Sequence, residues 1–227
     1  MRIGILQTGH APAKLSPTHG VYTDLFERLL AGHGFTFRTW SVVDMDFPAD
    51  VHQADGWLLT GSRHGAYEDH PFIPPLEDFI RAAQAASVPL VGICFGHQIM
   101  AQAMGGRVEK YRGGWSVGAQ DYRFDDRSVR LNAWHQDQVV EVPPGARTIG
   151  CSDFCANAAL LYPGRGLSFQ AHPEFDADFI GDMLTHVGPG SVPDHLLDEA
   201  SARRDLPLDR MEIADQIARF YRSHAPA

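Results

Sequence analysis

Three features are missing from this 227-residue sequence: a cluster of basic residues, a long apolar run and an even set of cysteines. The 19 lysines and arginines stand against 28 aspartates and glutamates, a formal net charge of −9, and no basic cluster could neutralise a run of phosphates. No segment reaches the roughly 18 to 20 continuous apolar residues that cross a bilayer. The predicted partners therefore include neither nucleic acid nor a membrane.

The cysteines and the first residues indicate the compartment. Cys94, Cys151 and Cys155 are an odd number in a chain large enough to fold without covalent cross-links, so reduced thiols are predicted rather than a disulfide framework. Residues 1–6 form an apolar run that is too short for a signal peptide and lacks a cleavage site, which indicates a first strand. The predicted location is cytoplasmic.

The remaining composition is typical of a soluble globular protein. Apolar residues make up 44% of the chain and charged residues 21%, which is enough apolar material for a sizeable core. An α/β chain of this length commonly forms one compact unit. We therefore predict a single domain over residues 1–227, in which residues 191–227 form a C-terminal helical extension.

Strand-like and helical patterns alternate along the first half of the chain. Short apolar runs bounded by glycine, proline or polar residues predict four strands, at residues 3–7, 35–43, 56–59 and 90–93. Helical periodicity lies between them, at 22–30 and at about 75–86. This alternation predicts an α/β fold with a doubly wound, mostly parallel sheet covered by helices on both faces.

From residue 108 to residue 142 the pattern changes. Short β-like runs separated by Gly113-Gly114 and Asp125-Asp126 predict an appended region of antiparallel hairpins at a sheet edge. Beyond this region, helical periodicity at 175–187 and 211–221 predicts C-terminal helices that cover the sheet.

Residues 89–106 carry the strongest chemical signal. An apolar strand leads into a sharp turn, with Gly92 and Gly96 on either side of Cys94, and then into a helix that ends at Gly-Gly, the layout of a nucleophile elbow. Cys94 would lie at the carboxyl edge of the sheet, where the helix dipole favours the thiolate and the Phe95 N–H points at a developing oxyanion. The alternative is that Cys94 is an ordinary buried cysteine.

A base for this nucleophile is available 78 residues later, in the segment His172-Pro173-Glu174. In an extended segment, positions i and i+2 point to the same side, so Glu174 can hold one ring nitrogen of His172 while the other faces Cys94. These three side chains form the candidate catalytic triad. Taken alone, the segment is equally consistent with a surface turn at Pro173.

Gly-Ile-Cys-Phe-Gly-His-Gln at 92–98 and His-Pro-Glu at 172–174 together resemble the class I (triad) glutamine amidotransferase family. The similarity is to its stand-alone members, which resemble the glutaminase domain of GMP synthetase, and it covers roughly residues 3–174. The resemblance implies a flavodoxin-like sheet and a Cys-His-Glu triad.

The resemblance also implies an oxyanion hole and a substrate site. Gly61 and Ser62 lie where such enzymes have a Gly-Gly-Pro loop, whose backbone N–H completes the oxyanion hole with that of Phe95. Serine at the second position leaves the loop conformation open, because serine reaches positive φ only at a cost. The positions that would hold the amino-acid end of the substrate are Gln98, His135 and Gln136.

Two further groups of residues are assigned no chemistry. Cys151 and Cys155 lack a partnering pair of zinc ligands, so ordinary packing is predicted for them. A polar cluster without a recognised metal-ligand pattern favours a solvated loop, and it consists of His64, Glu68, Asp69 and His70. No metal or other cofactor is predicted.

These residues predict cysteine-dependent hydrolysis of the glutamine side-chain amide. The Cys94 thiolate attacks the δ-carbonyl, His172 protonates the departing ammonia, and water then hydrolyses the γ-glutamyl thioester. Because the chain has no nucleotide-binding P-loop, a separate synthetase partner subunit would receive the ammonia.

Two alternatives remain open. A stand-alone γ-glutamyl peptidase or hydrolase acting on a larger γ-glutamyl compound is favoured by residues 8–20, which follow the first strand at the edge where α/β sheets bind ligands and are placed to line the pocket. A non-catalytic binding module with a relic site is the second alternative.

Overall fold

The computed structural model describes residues 1–125 and 127–224, which contain eleven strands and seven helices. The strands are β1 (Arg2–Leu6), β2 (Thr36–Trp40), β3 (Gly56–Leu59), β4 (Leu90–Ile93), β5 (Arg107–Lys110), β6 (Ser116–Phe124), β7 (Ser128–His135), β8 (Asp137–Glu141), β9 (Arg147–Cys151), β10 (Ala159–Tyr162) and β11 (Gly166–Phe169). The helices are α1 (Ser16–His19), α2 (Tyr22–Leu29), α3 (Ile73–Ala85), α4 (Phe95–Ala103), α5 (Ala177–His186), α6 (Asp194–Ala202) and α7 (Arg210–Ser223). None of the helices in these residues is long and apolar enough to cross a membrane.

Nine strands form one sheet in the order β2-β1-β3-β4-β11-β10-β9-β6-β7, while β5 and β8 pair in a separate small sheet. The first five strands of the large sheet are parallel, in the order typical of flavodoxin-like folds. From β11 onward every pairing is antiparallel. The predicted doubly wound α/β fold with an appended antiparallel region is confirmed.

The centre of the parallel region positions the candidate site. All residues of β3 and β4 are buried, as expected for short apolar strands that are covered on both faces. In the register of the parallel pair β4 and β11, Ile93 lies opposite Phe169. The chain therefore leaves both strands at the same sheet edge, so Cys94 and the segment that contains His172 start side by side.

The antiparallel region is larger than the sequence predicted. The predicted hairpin is present as β6 and β7, but β9 and β10 extend the sheet with two short strands for which no prediction was made. In the predicted turn Asp125-Asp126, the second residue lies outside the described residues.

Three helices follow the last strand. The predicted helical segments 175–187 and 211–221 correspond to α5 and α7, and α6 lies within the predicted helical extension 191–227 at a position for which no separate helix was predicted. Tyr221 of α7 is fully buried, and its hydroxyl donates a hydrogen bond to the Trp57 carbonyl of β3 at 2.9 Å. Helix α7 is thus part of the main core. Residues 225–227 of the predicted extension lie outside the described residues, and the single-domain assignment stays a prediction.

Candidate active site

Cys94 lies in the sharp turn between β4 and α4. Its φ of 53° and ψ of −104° fall in a region that residues with side chains rarely adopt. Its N–H donates to the Phe169 carbonyl at 2.8 Å, and its own carbonyl accepts from the Gln98 N–H at 3.1 Å. Strained backbone that neighbouring structure holds in place is concentrated at functional sites. The turn has the backbone geometry of a nucleophile elbow.

Gly92 and Gly96 allow this turn because other backbone atoms pass directly over both positions. A Cβ atom on Gly92 would overlap the Gly96 carbonyl, and one on Gly96 would overlap the Leu59 carbonyl. Neither overlap could be relieved by rotating a side chain. The two glycines therefore bring the N-terminus of α4, with its N–H groups that lack intrahelical acceptors, next to Cys94.

His172 and Glu174 follow β11, the strand beside β4. Nδ1 of His172 lies 2.6 Å from Oε1 of Glu174, and both side chains are buried. The imidazole is stacked on the Phe175 ring with centroids 4.0 Å apart, and the His172 N–H donates to the Asn132 carbonyl at 2.8 Å. These contacts fix the imidazole and leave Nε2 as the ring nitrogen available to the Cys94 thiol.

Two opposing effects set the pKa of His172. Burial alone lowers the pKa, but the charges of Glu174 and Cys94, and hydrogen bonds to both, raise it to about 10. His172 is therefore an imidazolium at neutral pH. An imidazolium beside a cysteine sulfur stabilises the thiolate, the form that acts as a nucleophile.

The loop after β3 passes directly beside the thiol and the imidazole. A Cβ atom on Gly61 would lie 3.1 Å from Cε1 of His172 and 3.7 Å from Cβ of Cys94. The φ of Ser62, the next residue, is not positive. Serine stands here where the family has glycine, and it causes no strain from a positive φ.

A pocket of about 350 Å³ opens beside Cys94, at the small end of the roughly 300 to 1,000 Å³ range of small-molecule sites. Its wall contains the cations Arg63 and Lys110 and the indole rings of Trp115 and Trp134. Another cavity of about 370 Å³ in the described part of the chain lies against α7, and it contains none of the predicted site residues. The first pocket is therefore the candidate substrate site.

The three predicted substrate-binding residues lie at the pocket wall, but they differ in which hydrogen-bonding groups are already used within the protein. Nε2 of Gln98 donates to the Asp137 carbonyl at 2.9 Å and to Oε1 of Gln170 at 3.1 Å, which uses both amide hydrogens. His135 contacts the Asp137 carbonyl through Nδ1 at 3.2 Å, and burial is the main cause that lowers its pKa to about 3, so the ring is neutral. Gln136 also lines the pocket.

Residues 8–20 do not line this pocket, which corrects the prediction that they would. Thr8 instead supports the loop after β3, because its hydroxyl donates to the Thr60 carbonyl at 2.9 Å and its N–H donates to Oγ1 of Thr60 at 3.0 Å. Leu15 is buried in the cluster around α5, and His19 lies 2.7 Å from Asp182 of that helix. Apolar anchoring on α5 draws the segment away from the pocket.

Two residues beside the triad were missed by sequence reasoning. Burial raises the pKa of the Tyr22 hydroxyl, and the nearby charges of Cys94 and Glu174 raise it further. In the sequence, Tyr22 belongs to the helical periodicity of residues 22–30, which does not indicate proximity to the candidate triad. Asn132 supports the His172 segment, because its side-chain amide donates to the Phe175 carbonyl at 3.0 Å. Because polar and apolar residues alternate along much of β7, nothing in the sequence singles out Asn132.

The last helix also contacts the catalytic segment. Arg210, the first residue of α7, donates from Nε to the Pro173 carbonyl at 2.7 Å and from Nη2 to the Glu174 carbonyl at 3.1 Å. Two donors on one planar guanidinium fix the backbone on which Glu174 lies.

A compact cluster of His64, Glu68 and His70 lies at the edge of the pocket. Oε2 of Glu68 is 2.7 Å from Nε2 of His70 and 3.7 Å from Nδ1 of His64. Burial, followed by the charges of His70 and Arg63, lowers the pKa of His64. The sequence predicted a solvated loop without a ligand pattern and did not predict that these three side chains converge. Asp69 is not part of the cluster.

The similarity of this chain to known proteins includes the elbow and most of the large sheet. The model of the family described as glutamine amidotransferase class-I matches residues 29–184. A glutamine amidotransferase-like protein of Schizosaccharomyces pombe is 27% identical over 96% of this chain and 97% of its own length. Gamma-glutamyl peptidase 4 of Arabidopsis thaliana is 30% identical over 76% of this chain and 75% of its own. GMP synthase [glutamine-hydrolyzing] of Burkholderia mallei is 31% identical over 73% of this chain but only 31% of that enzyme.

Solved structures show the same fold. A glutamine amido transferase from Methylobacillus flagellatus has a TM-score of 0.76 at 23% identity and covers 100% of this chain and 95% of its own. A glutamine amidotransferase from Thermotoga maritima has a TM-score of 0.75 at 18% identity, with 97% and 98% covered. The family match includes β4, the elbow, β11 and the His-Pro-Glu segment. This chain belongs to the class I glutamine amidotransferase family.

Proposed function

We propose that this protein hydrolyses a γ-glutamyl amide bond through a thioester on Cys94. The observation that supports the proposal most is the buried pair of His172 Nδ1 and Glu174 Oε1, 2.6 Å apart, at a position where the charge of Cys94 helps to raise the pKa of His172. A nucleophile, a base and a carboxylate that orients the base are the parts that covalent amide hydrolysis requires.

In the first step, the Cys94 sulfur attacks the γ-glutamyl carbonyl carbon. The oxyanion that forms takes hydrogen bonds from the N–H of Phe95 and from the backbone of the Gly61–Ser62 loop. The imidazolium of His172 donates its proton to the leaving nitrogen, and the C–N bond breaks. The products of this step are the amine, which is ammonia when the substrate is glutamine, and a γ-glutamyl thioester.

In the second step, water hydrolyses the thioester. Neutral His172 accepts a proton from the water as its oxygen attacks the carbonyl, and the Cys94 sulfur leaves as thiolate. Glu174 stabilises the imidazolium that forms again and keeps the ring in place. The enzyme returns to the ion pair from which it started.

Two substrate classes fit this chemistry. One is glutamine, whose ammonia a synthetase partner subunit would use. The other is a larger γ-glutamyl compound, cleaved without a partner. The second class is favoured by Arg63 and Lys110 in the pocket wall, which can bind a carboxylate carried beyond the scissile amide. It also agrees with the match to a γ-glutamyl peptidase along three quarters of both chains.

Trapping the thioester tests the proposal. The protein is incubated with glutamine and with a panel of γ-glutamyl dipeptides, quenched in acid and analysed by peptide mass mapping. We expect a γ-glutamyl adduct on the peptide that contains Cys94, and we expect Cys94→Ala to lose both the adduct and turnover. Cys151→Ala is the matched control and should keep both. An adduct on another cysteine, or undiminished turnover in Cys94→Ala, would contradict the mechanism.

A further inference from the structure

We propose that His64, Glu68 and His70 bind one divalent transition-metal ion of the zinc type at the edge of the active-site pocket. One ligand atom from each side chain lies within 4.8 Å of the other two. Two ligands of a tetrahedral zinc ion, each about 2.1 Å from the metal, are about 3.4 Å apart. Oε2 of Glu68 lies 3.7 Å from Nδ1 of His64, close to that spacing, and 2.7 Å from Nε2 of His70, where an ion would replace the hydrogen bond between the two groups and separate them slightly.

The donor set determines which ions fit. Two imidazoles and one carboxylate suit zinc and neighbouring first-row divalent metals, whereas magnesium and calcium prefer oxygen ligands alone. The residues are provided by one compact turn, in which the Glu68 N–H donates to the Gly65 carbonyl at 3.0 Å and the His70 N–H donates to the Glu68 carbonyl at 3.1 Å. Since this backbone is already folded, binding orders little additional chain.

An aromatic side chain supports the cluster from one side. The centroids of both imidazole rings lie 5.9 Å from that of Phe72, and Phe72 lies 6.1 Å from Phe95, the residue after Cys94. Apolar groups around a metal site limit the access of water and restrict the orientation of the ligands. Phe72 therefore gives the proposed site one dry face and connects it to the catalytic elbow by direct packing.

An ion at this position would face the substrate site. His64 and Glu68 line the same pocket as Cys94. Three protein ligands leave one position free on a four-coordinate ion, and this position is available to water or to a carboxylate of a molecule in the pocket. The ion takes no part in the Cys94 chemistry, so its role concerns what binds in the pocket.

Calorimetric titration of Zn²⁺ and Co²⁺ into the Cys94→Ala variant tests the site. Removing the thiol eliminates the Cys94–His172 pair as a competing set of ligands. We expect one ion per chain. In the same background, His64→Gln and His70→Gln should each weaken binding by at least about tenfold. His52→Gln changes an exposed histidine outside the cluster and should leave the affinity unchanged.

Three results would overturn the proposal: no binding to Cys94→Ala, equal weakening by His52→Gln, or retained affinity in both cluster variants. The Co²⁺ spectrum provides an independent measurement. Nitrogen and oxygen ligands give no sulfur-to-metal charge-transfer band, and such a band would assign the ion to Cys151 or Cys155 instead. Thermal unfolding curves identify any variant that fails to fold. Because no turnover is measured, failure of this proposal is separate from failure of the proposed hydrolysis.

Discussion

The two sides of the active-site pocket are built in different ways. His172 and Glu174 are 4% and 2% exposed and are held by strand ends, stacking and backbone hydrogen bonds, whereas Tyr67 in the pocket wall is 46% exposed. The catalytic side depends on backbone geometry that few substitutions leave unchanged. The exposed side consists of surface side chains in the pocket wall, among them Tyr67 and Lys110, that can be exchanged without moving the large sheet. This difference separates the chemistry from the choice of substrate, and graded effects on activity are expected from one side to the other.

Loss of the base should have the largest effect. His172→Ala removes the proposed proton donor and the positive charge beside the Cys94 sulfur, so kcat/KM should fall on the order of 10⁶-fold, close to the loss in Cys94→Ala. Steady-state kinetics on the substrate identified by thioester trapping measures this effect. Combining both substitutions should add little further loss, because the two residues act as one unit. A decrease below tenfold for His172→Ala would assign the base elsewhere.

Removal of the orienting carboxylate should have a smaller effect and change the pH dependence. Glu174→Gln should lower kcat/KM on the order of 10⁴-fold. Glu174 raises the pKa of His172, so without its charge the imidazolium is lost at a lower pH. The alkaline limb of the kcat/KM profile, which we expect near the raised pKa of about 10 of His172 in the unsubstituted protein, should move to lower pH. An unchanged alkaline limb would exclude His172 as the titrating group.

A substitution that crowds the catalytic side without removing a functional group should reduce activity less than the two preceding variants. In Gly61→Ala, the added methyl group lies 3.1 Å from the His172 ring, so either the ring or the loop must shift by a few tenths of an ångström. Misplacement on this scale should reduce kcat by about tenfold to 10²-fold. Gly32→Ala is a control remote from the site: no atom lies within 4 Å of the added group, but the φ of +83° strains the backbone, so this variant measures the effect of destabilisation alone. Equal losses in both variants would indicate general destabilisation.

On the exposed side of the pocket, substitutions should change only substrate binding. Lys110→Ala should raise KM for a γ-glutamyl dipeptide about twofold to fivefold, the range expected for one exposed charge contact, and should leave kcat and the KM for glutamine nearly unchanged. Lys14→Ala removes a lysine from the 8–20 segment, which does not line the pocket, and should change neither. A lower kcat on glutamine in Lys110→Ala would mean that the two sides of the pocket do not control catalysis and substrate binding separately.

Strain on the catalytic side can be measured as stability. In Cys94→Ala, the alanine must keep the φ of 53° that Cys94 adopts, whereas glycine adopts that angle freely. Cys94→Gly should therefore be more stable than Cys94→Ala by about 1 kcal/mol, measured by urea unfolding of both inactive variants. Equal stability would mean that the elbow stores no strain.

The elbow could be predicted because its information is local. Gly92, Cys94 and Gly96 lie within five residues, and the apolar strand before them and the helix after them have clear periodicities. The relation of this turn to His172 was predicted from the need of a cysteine nucleophile for a base and from the family resemblance, whereas the pairing of β4 with β11 that brings them together is seen only in the structure. The alternation of strands and helices in the first half was sufficient to predict the parallel part of the sheet.

Features that depend on tertiary packing were not predictable in this way. Strands β9 and β10 have short sequences whose pairing is set by the rest of the sheet. Residues 8–20 follow a strand at the ligand-binding edge, yet burial of Leu15 against α5 determines their path. The proximity of Tyr22 to the triad arises from the packing of α2, since a helical stripe does not indicate what its residues contact.

The contact of Arg210 with the catalytic segment has a consequence for the order of biosynthesis. Residues 172–174 leave the ribosome well before residue 210, so the carbonyls of Pro173 and Glu174 lack these two donors until α7 has emerged and docked. The nascent chain already exposes a cysteine at the elbow while the segment that carries its base is still incompletely held. Under the proposed mechanism, activation of the Cys94 thiol is thereby linked to the docking of α7, which is synthesised after all eleven strands.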